Sequence, residues 1–162
     1  MINVVIDDRR INEAFARLIS ANRAPSEAMA SIAVRMLGAV EANFRNEGRP
    51  KWKPMAPSTR KVRGPGAKLL QRTSGGLAAS NQPFHGTNYA GVGTNKAYAR
   101  WQQEGTKPYT IKAKNKKALA FGGIFRKEVK HPGLEARPFY SLDATDKDDI
   151  LDIMSRYLRS KV

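Results

Sequence analysis

Residues 26–48 read SEAMASIAVRMLGAVEANFRNEG and carry the longest regular hydrophobic pattern of the chain. Their apolar side chains recur every three or four positions, at Met29, Ile32, Met36, Val40 and Phe44. This spacing places the side chains on one face of an α-helix. Gly48 is a residue type at which helices commonly end. We therefore predict a helix from about residue 26 whose apolar face forms the core of the domain and not a cofactor pocket.

A shorter helix is predicted before this one. Its apolar positions share one face, at Ile11, Phe15, Leu18 and Ile19. Asp8 is placed to cap its first turn, and residues 22–25 break it. Further towards the N-terminus, apolar residues alternate over positions 2–6, which indicates a short edge strand.

The second half of the chain favours strands. Short alternating segments predict strands between residues 77 and 94, with a turn near residue 85, and over 109–113, 118–121 and 124–130. A short helix is expected over 97–104. A last helix starts near Thr145, where Asp148 completes a capping box. Because the strands cluster and do not alternate with helices, the class is α+β. We expect one domain, with a small, mostly antiparallel sheet packed against two N-terminal helices and a C-terminal helix.

Between these halves lies a segment of about residues 48–76 that is rich in Pro, Gly, Lys and Arg. It has prolines at positions 50, 54, 57 and 65, and we predict a long loop arm with one helical turn near residues 58–62. Trp52 needs a partner surface, because a large aromatic ring in a basic loop is costly to leave in water. The ring either folds back on the core or anchors a neighbouring subunit.

The charge of the chain is concentrated in its middle. The 162 residues include 29 Lys and Arg against 14 Asp and Glu, a net charge of +15. Residues 49–137 hold nineteen of the basic and three of the acidic side chains, a net charge of +16. This excess has two interpretations: a surface that faces a polyanion, or a solvated loop region whose lysines keep the protein in solution.

Several functional classes are disfavoured by the residues themselves. The chain has no cysteine and two histidines, which argues against a thiolate nucleophile and against Cys- or His-based metal sites. The aspartates of residues 143–152 lack the spacing of a calcium loop and are expected to cap a helix. No phosphate-binding glycine loop, signal peptide or membrane span is evident, so we expect no enzyme, no cofactor, no membrane partner and synthesis in the cytoplasm.

Four segments, taken in order, resemble the motifs of one family. Residues 48–59, GRPKWKPMAPST, resemble Trp-x-Pro-Leu-x-x-x-Thr, and residues 70–80, LQRTSGGLAAS, resemble Leu-x-x-Thr-Gly-x-Leu-x-x-Ser. Residues 92–105 are similar to Val-Gly-Ser-Asn, Tyr-Ala and His-Gln-x-Gly in succession. Residues 136–139 match Ala-Arg-Pro-Phe. The chain thereby resembles the phage virion morphogenesis proteins, the tail-completion or neck proteins of Mu-like tailed phages.

The resemblance implies a structural virion protein at the head–tail junction, in a ring often of six copies, with other neck and tail proteins as partners. Its basic surface would face packaged double-stranded DNA, through phosphates, or acidic neighbours. We predict a subunit or ring interface at Trp52, Pro54, Met55 and Pro57. We predict a DNA- or partner-facing hairpin at Lys112, Lys114, Lys116 and Lys117. We predict a structural motif at Ala136, Arg137, Pro138 and Phe139, in which Arg137 is a hinge that pairs locally while Phe139 packs. The alternative is a free protein that binds nucleic acid without sequence preference.

Overall fold

A computed structural model describes residues 9–23, 25–72, 74–113, 118–121 and 124–161. The helices in this part are α1 (Arg9–Arg23), α2 (Ser26–Arg45), α3 (Pro57–Arg63), α4 (Ala99–Glu104) and α5 (Ala144–Arg159). The strands are β1 (Asn81–His85), β2 (Ala90–Thr94), β3 (Tyr109–Lys112), β4 (Leu119–Phe121), β5 (Ile124–Arg126) and β6 (Glu128–His131). The predicted α+β class is confirmed. The strand expected over residues 2–6 and the cap expected at Asp8 lie outside the described residues.

The core is built on α2, as the hydrophobic spacing predicts. Val40 and Phe44 from its last turns join a cluster of buried residues that the rest of the chain supplies. Those partners are Trp52, Leu69, Leu77, Ala99 and Phe139. α2 also packs on α5 and on β1 and β2. A single long helix therefore organises elements drawn from the whole chain.

The first helix packs less closely than its amphipathic pattern predicts. α1 spans the predicted residues, but Phe15 remains 59% exposed and Ile19 56% exposed. The main contact of α1 is with α5 and not with a sheet. We expect both N-terminal helices to pack on a sheet. Of the two, α2 does so, on the ribbon that β1 and β2 form.

Within the residues that the structure describes, the strands form three separate ribbons and not one sheet. β1 pairs with β2, β3 with β6 and β4 with β5, each antiparallel. The segment 124–130, which we predict as one strand, is divided into β5 and β6 by a bend at Lys127. Because β5 pairs with β4 and β6 pairs with β3, the chain changes partner strand at this bend.

The N-cap of the last helix lies two residues before the predicted one, Thr145. Asp143 is the N-cap, and its carboxylate accepts a hydrogen bond from the backbone N–H of Asp146 at 2.9 Å. The carboxylate of Asp146 accepts in return from the backbone N–H of Asp143 at 3.1 Å. This reciprocal pair is a capping box, and it replaces the one predicted for Thr145 and Asp148.

Asp146 also ties α5 to α2. Its carboxylate is 1% exposed and pairs with Arg35 at 2.6 Å and with Arg49 at 2.7 Å. Burial on its own would raise the pKa of Asp146, but the backbone N–H of Asp143 and the guanidinium groups of Arg49 and Arg35 outweigh it. The pKa of this carboxyl therefore lies below its ordinary value.

Removing this carboxylate is expected to destabilise the fold strongly. In Asp146→Ala, Arg35 and Arg49 each lose one of their two carboxylate partners, and the capping box loses the half that the side chain of residue 146 supplies. We expect a loss of about 2–4 kcal/mol in the free energy of unfolding, measured by urea titration. Asp148→Ala is the matched control, since Asp148 lies on the same helix and is exposed. It should change stability by less than about 0.5 kcal/mol. Equal losses in the two variants would contradict this account.

The same carboxylate makes stability depend on pH in a defined direction. The pKa of Asp146 is lower in the folded state than in the unfolded state, so the unfolded chain takes up its proton first. The contribution is complete above about pH 5 and is lost as the pH falls through the lower, folded-state pKa. Urea midpoints measured from neutral to acidic pH should therefore fall less steeply in Asp146→Asn than in the wild type. Parallel curves would show that this carboxyl is not the source of the pH dependence of stability.

Candidate assembly site around the proline-rich arm

The arm begins with a turn that returns the chain to the core. Gly48 has φ of +102°, and a Cβ atom at this position would lie 2.6 Å from Cδ1 of Trp52. Glycine is therefore required here, for its backbone conformation and for the close approach of the indole. The backbone N–H of Trp52 then donates to the carbonyl oxygen of Glu47 at 2.8 Å.

This turn buries Trp52 in its own chain. The side chain is 8% exposed, and its ring meets that of Phe44 edge-on, with centroids 5.9 Å apart. Its indole N–H donates to the carbonyl oxygen of Pro138 at 3.3 Å. Of the two alternatives for this residue, the structure supports folding back on the core. The assignment of Trp52 to a subunit interface is corrected accordingly, because its ring has little surface left for a neighbour.

Beyond Trp52 the arm is largely exposed. Pro54 and Pro57 are exposed and Met55 is half-buried against the core cluster. The helical turn predicted near residues 58–62 is confirmed as α3, which has no buried residue and leaves Val62 85% exposed. The arm is therefore anchored at Trp52 and presents its following residues outward. An interface at Pro54, Met55 and Pro57 stays a prediction.

The Ala-Arg-Pro-Phe segment forms a corner between α2 and α4. Phe139 is fully buried, and its ring centroid lies 5.3 Å from that of Phe44. Gln103 of α4 accepts hydrogen bonds through Oε1 from the backbone N–H groups of Phe139, at 2.9 Å, and Tyr140, at 3.0 Å. The carbonyl oxygen of Pro138 accepts the hydrogen bond from the indole N–H of Trp52, and Ala136 is exposed. The role of Ala136, Arg137, Pro138 and Phe139 as a structural motif stays a prediction, with which the packing of Phe139 agrees.

Asn43 of α2 also holds this corner in place through hydrogen bonds, and the sequence does not single out this residue. Its side chain is 0% exposed and donates through Nδ2 to the carbonyl oxygens of Phe139, at 2.9 Å, and Ser141, at 2.8 Å. Its Oδ1 accepts from Nε of Arg49 at 2.9 Å. The available signal was an amide next to Phe44 in an otherwise apolar helical stripe.

A cavity of about 1150 Å³ lies between the arm, α4 and the loop 131–137. It combines apolar walls, such as Met55 and Leu134, with four Lys and Arg side chains. These cations are Lys53, Arg63, Arg72 and Arg137. Glu135 is the acidic residue among the lining side chains described, and it pairs with Lys53 at 2.9 Å. The cavity therefore carries an excess of positive charge.

Arg137 is the most constrained cation of this cavity. Its Nη2 donates to the carbonyl oxygen of Lys53 at 3.4 Å, whereas its Nε is buried without a hydrogen-bond partner in the described part of the chain. Burial lowers the pKa of this guanidinium, partly offset by the charge of Glu135. Because an arginine remains protonated in proteins, the Nε–H group of Arg137 keeps its hydrogen and stays buried without an acceptor in the described part of the chain.

The predicted lysine hairpin is described only at its start. Lys112 is exposed at the end of β3, opposite Glu128 of β6. Lys114, Lys116 and Lys117 lie outside the described residues. The role of these four lysines stays a prediction.

The two histidines have different surroundings in the structure. His131 stacks on Tyr109 with centroids 4.9 Å apart, and its Nδ1 accepts from the backbone N–H of Gly133. His85 is exposed at the end of β1. Across the residues that the structure describes, no three His, Asp or Glu side chains are grouped to hold a metal ion. Nor does any helix in those residues have the length and apolar character that crossing a membrane requires.

The comparisons with known proteins agree with this geometry. The chain matches the phage virion morphogenesis family over residues 6–159, and it therefore belongs to that family. It is also 33% identical over 160 residues to the Mu-like prophage FluMu G protein 2 of Haemophilus influenzae, covering 98% of this chain and 97% of that protein. No solved structure matches the chain. The family indicates a structural, virion-associated protein.

The two tryptophans provide a test of the corner. Trp52→Ala should remove about 3–5 kcal/mol from the free energy of unfolding, because it leaves a cavity in the core cluster beside Phe44. Trp101 is 54% exposed, so Trp101→Ala should cost less than about 1 kcal/mol. Both variants are measured by urea denaturation followed by far-UV circular dichroism. Similar losses would contradict the core role assigned to Trp52.

Proposed function

We propose that this protein is a tail-completion or neck component, a non-enzymatic structural part that closes or joins the tail at the head–tail junction of a tailed phage. In this proposal several copies form a ring around the DNA channel, next to other neck and tail proteins. The proposal extends the family assignment, which covers nearly the whole chain.

The charge distribution is the observation that carries this finer assignment. Residues 49–137 hold the net charge of +16, and they include the exposed arm and α3. α3 contributes Arg60, Lys61 and Arg63 without an acidic residue in its own sequence. A cationic surface on an assembled ring fits a channel filled by DNA or a neighbouring acidic protein.

The anchoring of the arm supports an assembly role as well. Trp52 holds its base in the core while Pro54, Pro57 and Val62 remain in contact with solvent. A segment that is fixed at its base and exposes apolar residues among its cations is suited to lie against another subunit. Contacts of this kind join structural parts of a particle without any reaction.

The alternative is a free protein that binds nucleic acid without sequence preference, and the same charge favours it. That protein would bind DNA tightly on its own, with log K falling steeply as log salt rises. A neck component would bind DNA weakly as a purified chain, because its cationic surface acts after assembly with other virion parts.

Disruption of the gene distinguishes these two functions. Electron microscopy of the lysate should show full heads beside detached or abnormal tails, because the junction cannot be completed. Supplying the wild-type gene in trans is the control and should restore joined particles. Normal, infectious particles without the protein would contradict the neck assignment, and tight binding of DNA by the purified chain would then favour the alternative.

A further inference from the structure

The cavity under the arm contains cations without carboxylate partners. Arg63, Arg72 and Arg137 form no ion pair with any described residue, and Arg63 instead donates to the sulfur of Met55 at 3.4 Å. The unpartnered Nε of Arg137 lies among these groups. Guanidinium groups held beside apolar walls favour a ligand that brings carboxylates together with an aliphatic side chain.

The outward face of α5 has this composition. Asp148, Leu151 and Asp152 lie three or four positions apart, so they share one side of the helix. All three are exposed, and Leu151 is 65% exposed. Asp152 pairs with Arg156 at 3.0 Å, with both side chains mostly in water, an interaction that contributes little and is readily exchanged. An exposed leucine between two aspartates complements the cavity in charge and in polarity.

One chain does not bring these two surfaces together. The opposite face of α5 is held on α2 by Arg35, through Asp146 and Asp149. Its outward face therefore points away from α2. The cavity belongs to the arm, α4 and the loop 131–137, with no residue of α5 in its lining.

We propose that the cavity under the arm receives the Asp148–Leu151–Asp152 face of α5 from a second copy of this chain. The cavity of one copy then holds the helix of the next, so the contact is head-to-tail and repeats around a ring or along a filament. This inference rests on the proposed function, since it supplies the contact between copies that a neck ring needs.

Duplex DNA fits this cavity less well than a protein segment does. A phosphate backbone would satisfy the guanidinium groups, but it has no aliphatic group to fill the space beside Met55, Leu69 and Leu134. The rigid duplex also meets a protein mostly through surface contacts to phosphates. The surface lysines and arginines outside the cavity are better placed for that contact.

Disulfide trapping tests the contact, because the chain has no native cysteine. Ser58 lines the cavity and is exposed, and Ser155 is exposed on the same side of α5 as Leu151, so Ser58→Cys and Ser155→Cys are combined in one full-length chain. Head-to-tail contact then gives a ladder of covalent multimers on mild oxidation, whereas either single variant stops at a dimer. The control combines Phe125→Cys with Ser155→Cys, since Phe125 is 72% exposed and lies on β5, outside the cavity. Ladders of equal yield from both pairs, or no ladder from the Ser58 pair, would overturn the proposal.

Charge reversal provides the second test, at two exposed positions where folding should survive. In the trapping variant, adding Arg72→Glu or Asp148→Lys is expected to lower the ladder yield about tenfold, because like charges then face each other. Adding both substitutions together should restore most of the yield, since opposite charges again meet across the contact. Circular dichroism verifies the fold of each variant. Unchanged yields, or a loss that the combined variant does not recover, would overturn the proposal.

The two kinds of experiment test the contact between copies and the neck function independently. Disulfide trapping is measured on the purified chain, whereas the effect of gene disruption is measured on phage particles. Detached tails together with an absent ladder would overturn this contact and leave the neck assignment in place, with an acidic segment of another virion protein as the next candidate for the cavity. Normal particles together with a ladder specific to the Ser58 pair would overturn the neck assignment alone.

Discussion

The structure depends on the buried amide of Asn43. A side-chain amide without access to water has to use its donors and its acceptor, or the fold bears the cost of desolvating them. Asn43 does so by donating to the carbonyl groups of Phe139 and Ser141 and accepting from Arg49. Arg49 in turn pairs with Asp143 and Asp146 at the start of α5. One amide thus fixes the position of the chain before α5 relative to α2.

The same region brings distant parts of the chain to one place. Phe44, Trp52 and Phe139 come from α2, from the base of the arm and from the Ala-Arg-Pro-Phe corner, and they pack within one cluster. The corner is closed from the other side by Gln103 of α4. Motif segments that are far apart in the sequence therefore share a physical task, which is to hold the arm at a fixed point on a packed core.

Local periodicity predicts much of this fold. The stripe from Met29 to Phe44 identifies α2, and the proline at position 57 agrees with the start of α3, because proline is favoured in the first turn of a helix. The sequence does not reveal that residues 124–130 change partner strand, since no glycine or proline marks the bend at Lys127 and only tertiary packing separates the two halves. It also misplaces the cap of α5 by two residues, because Asp143 and Thr145 both have side chains suited to capping.

The candidate site is harder to predict from the sequence than the fold. Trp52 is identified as a residue that needs burial, but the choice between core and neighbour depends on the turn at Gly48. Asp146 is recognised as a helix-start residue, whereas its partners Arg35 and Arg49 lie 111 and 97 positions away and leave no local pattern. The cavity with its unpaired arginines arises in the same way, from segments that only folding brings together.

The division of the strands into three ribbons makes every described ladder strand an edge strand. In a two-stranded ribbon each strand has one side free of a ladder partner, which is the usual template for unwanted pairing between molecules. Lys112, Arg126 and Lys130 lie on these strands and are exposed. Charged side chains on an edge oppose the approach of a second, equally charged edge. On β3, β5 and β6, the positive charge of the middle of the chain therefore also opposes pairing between the strand edges of two molecules.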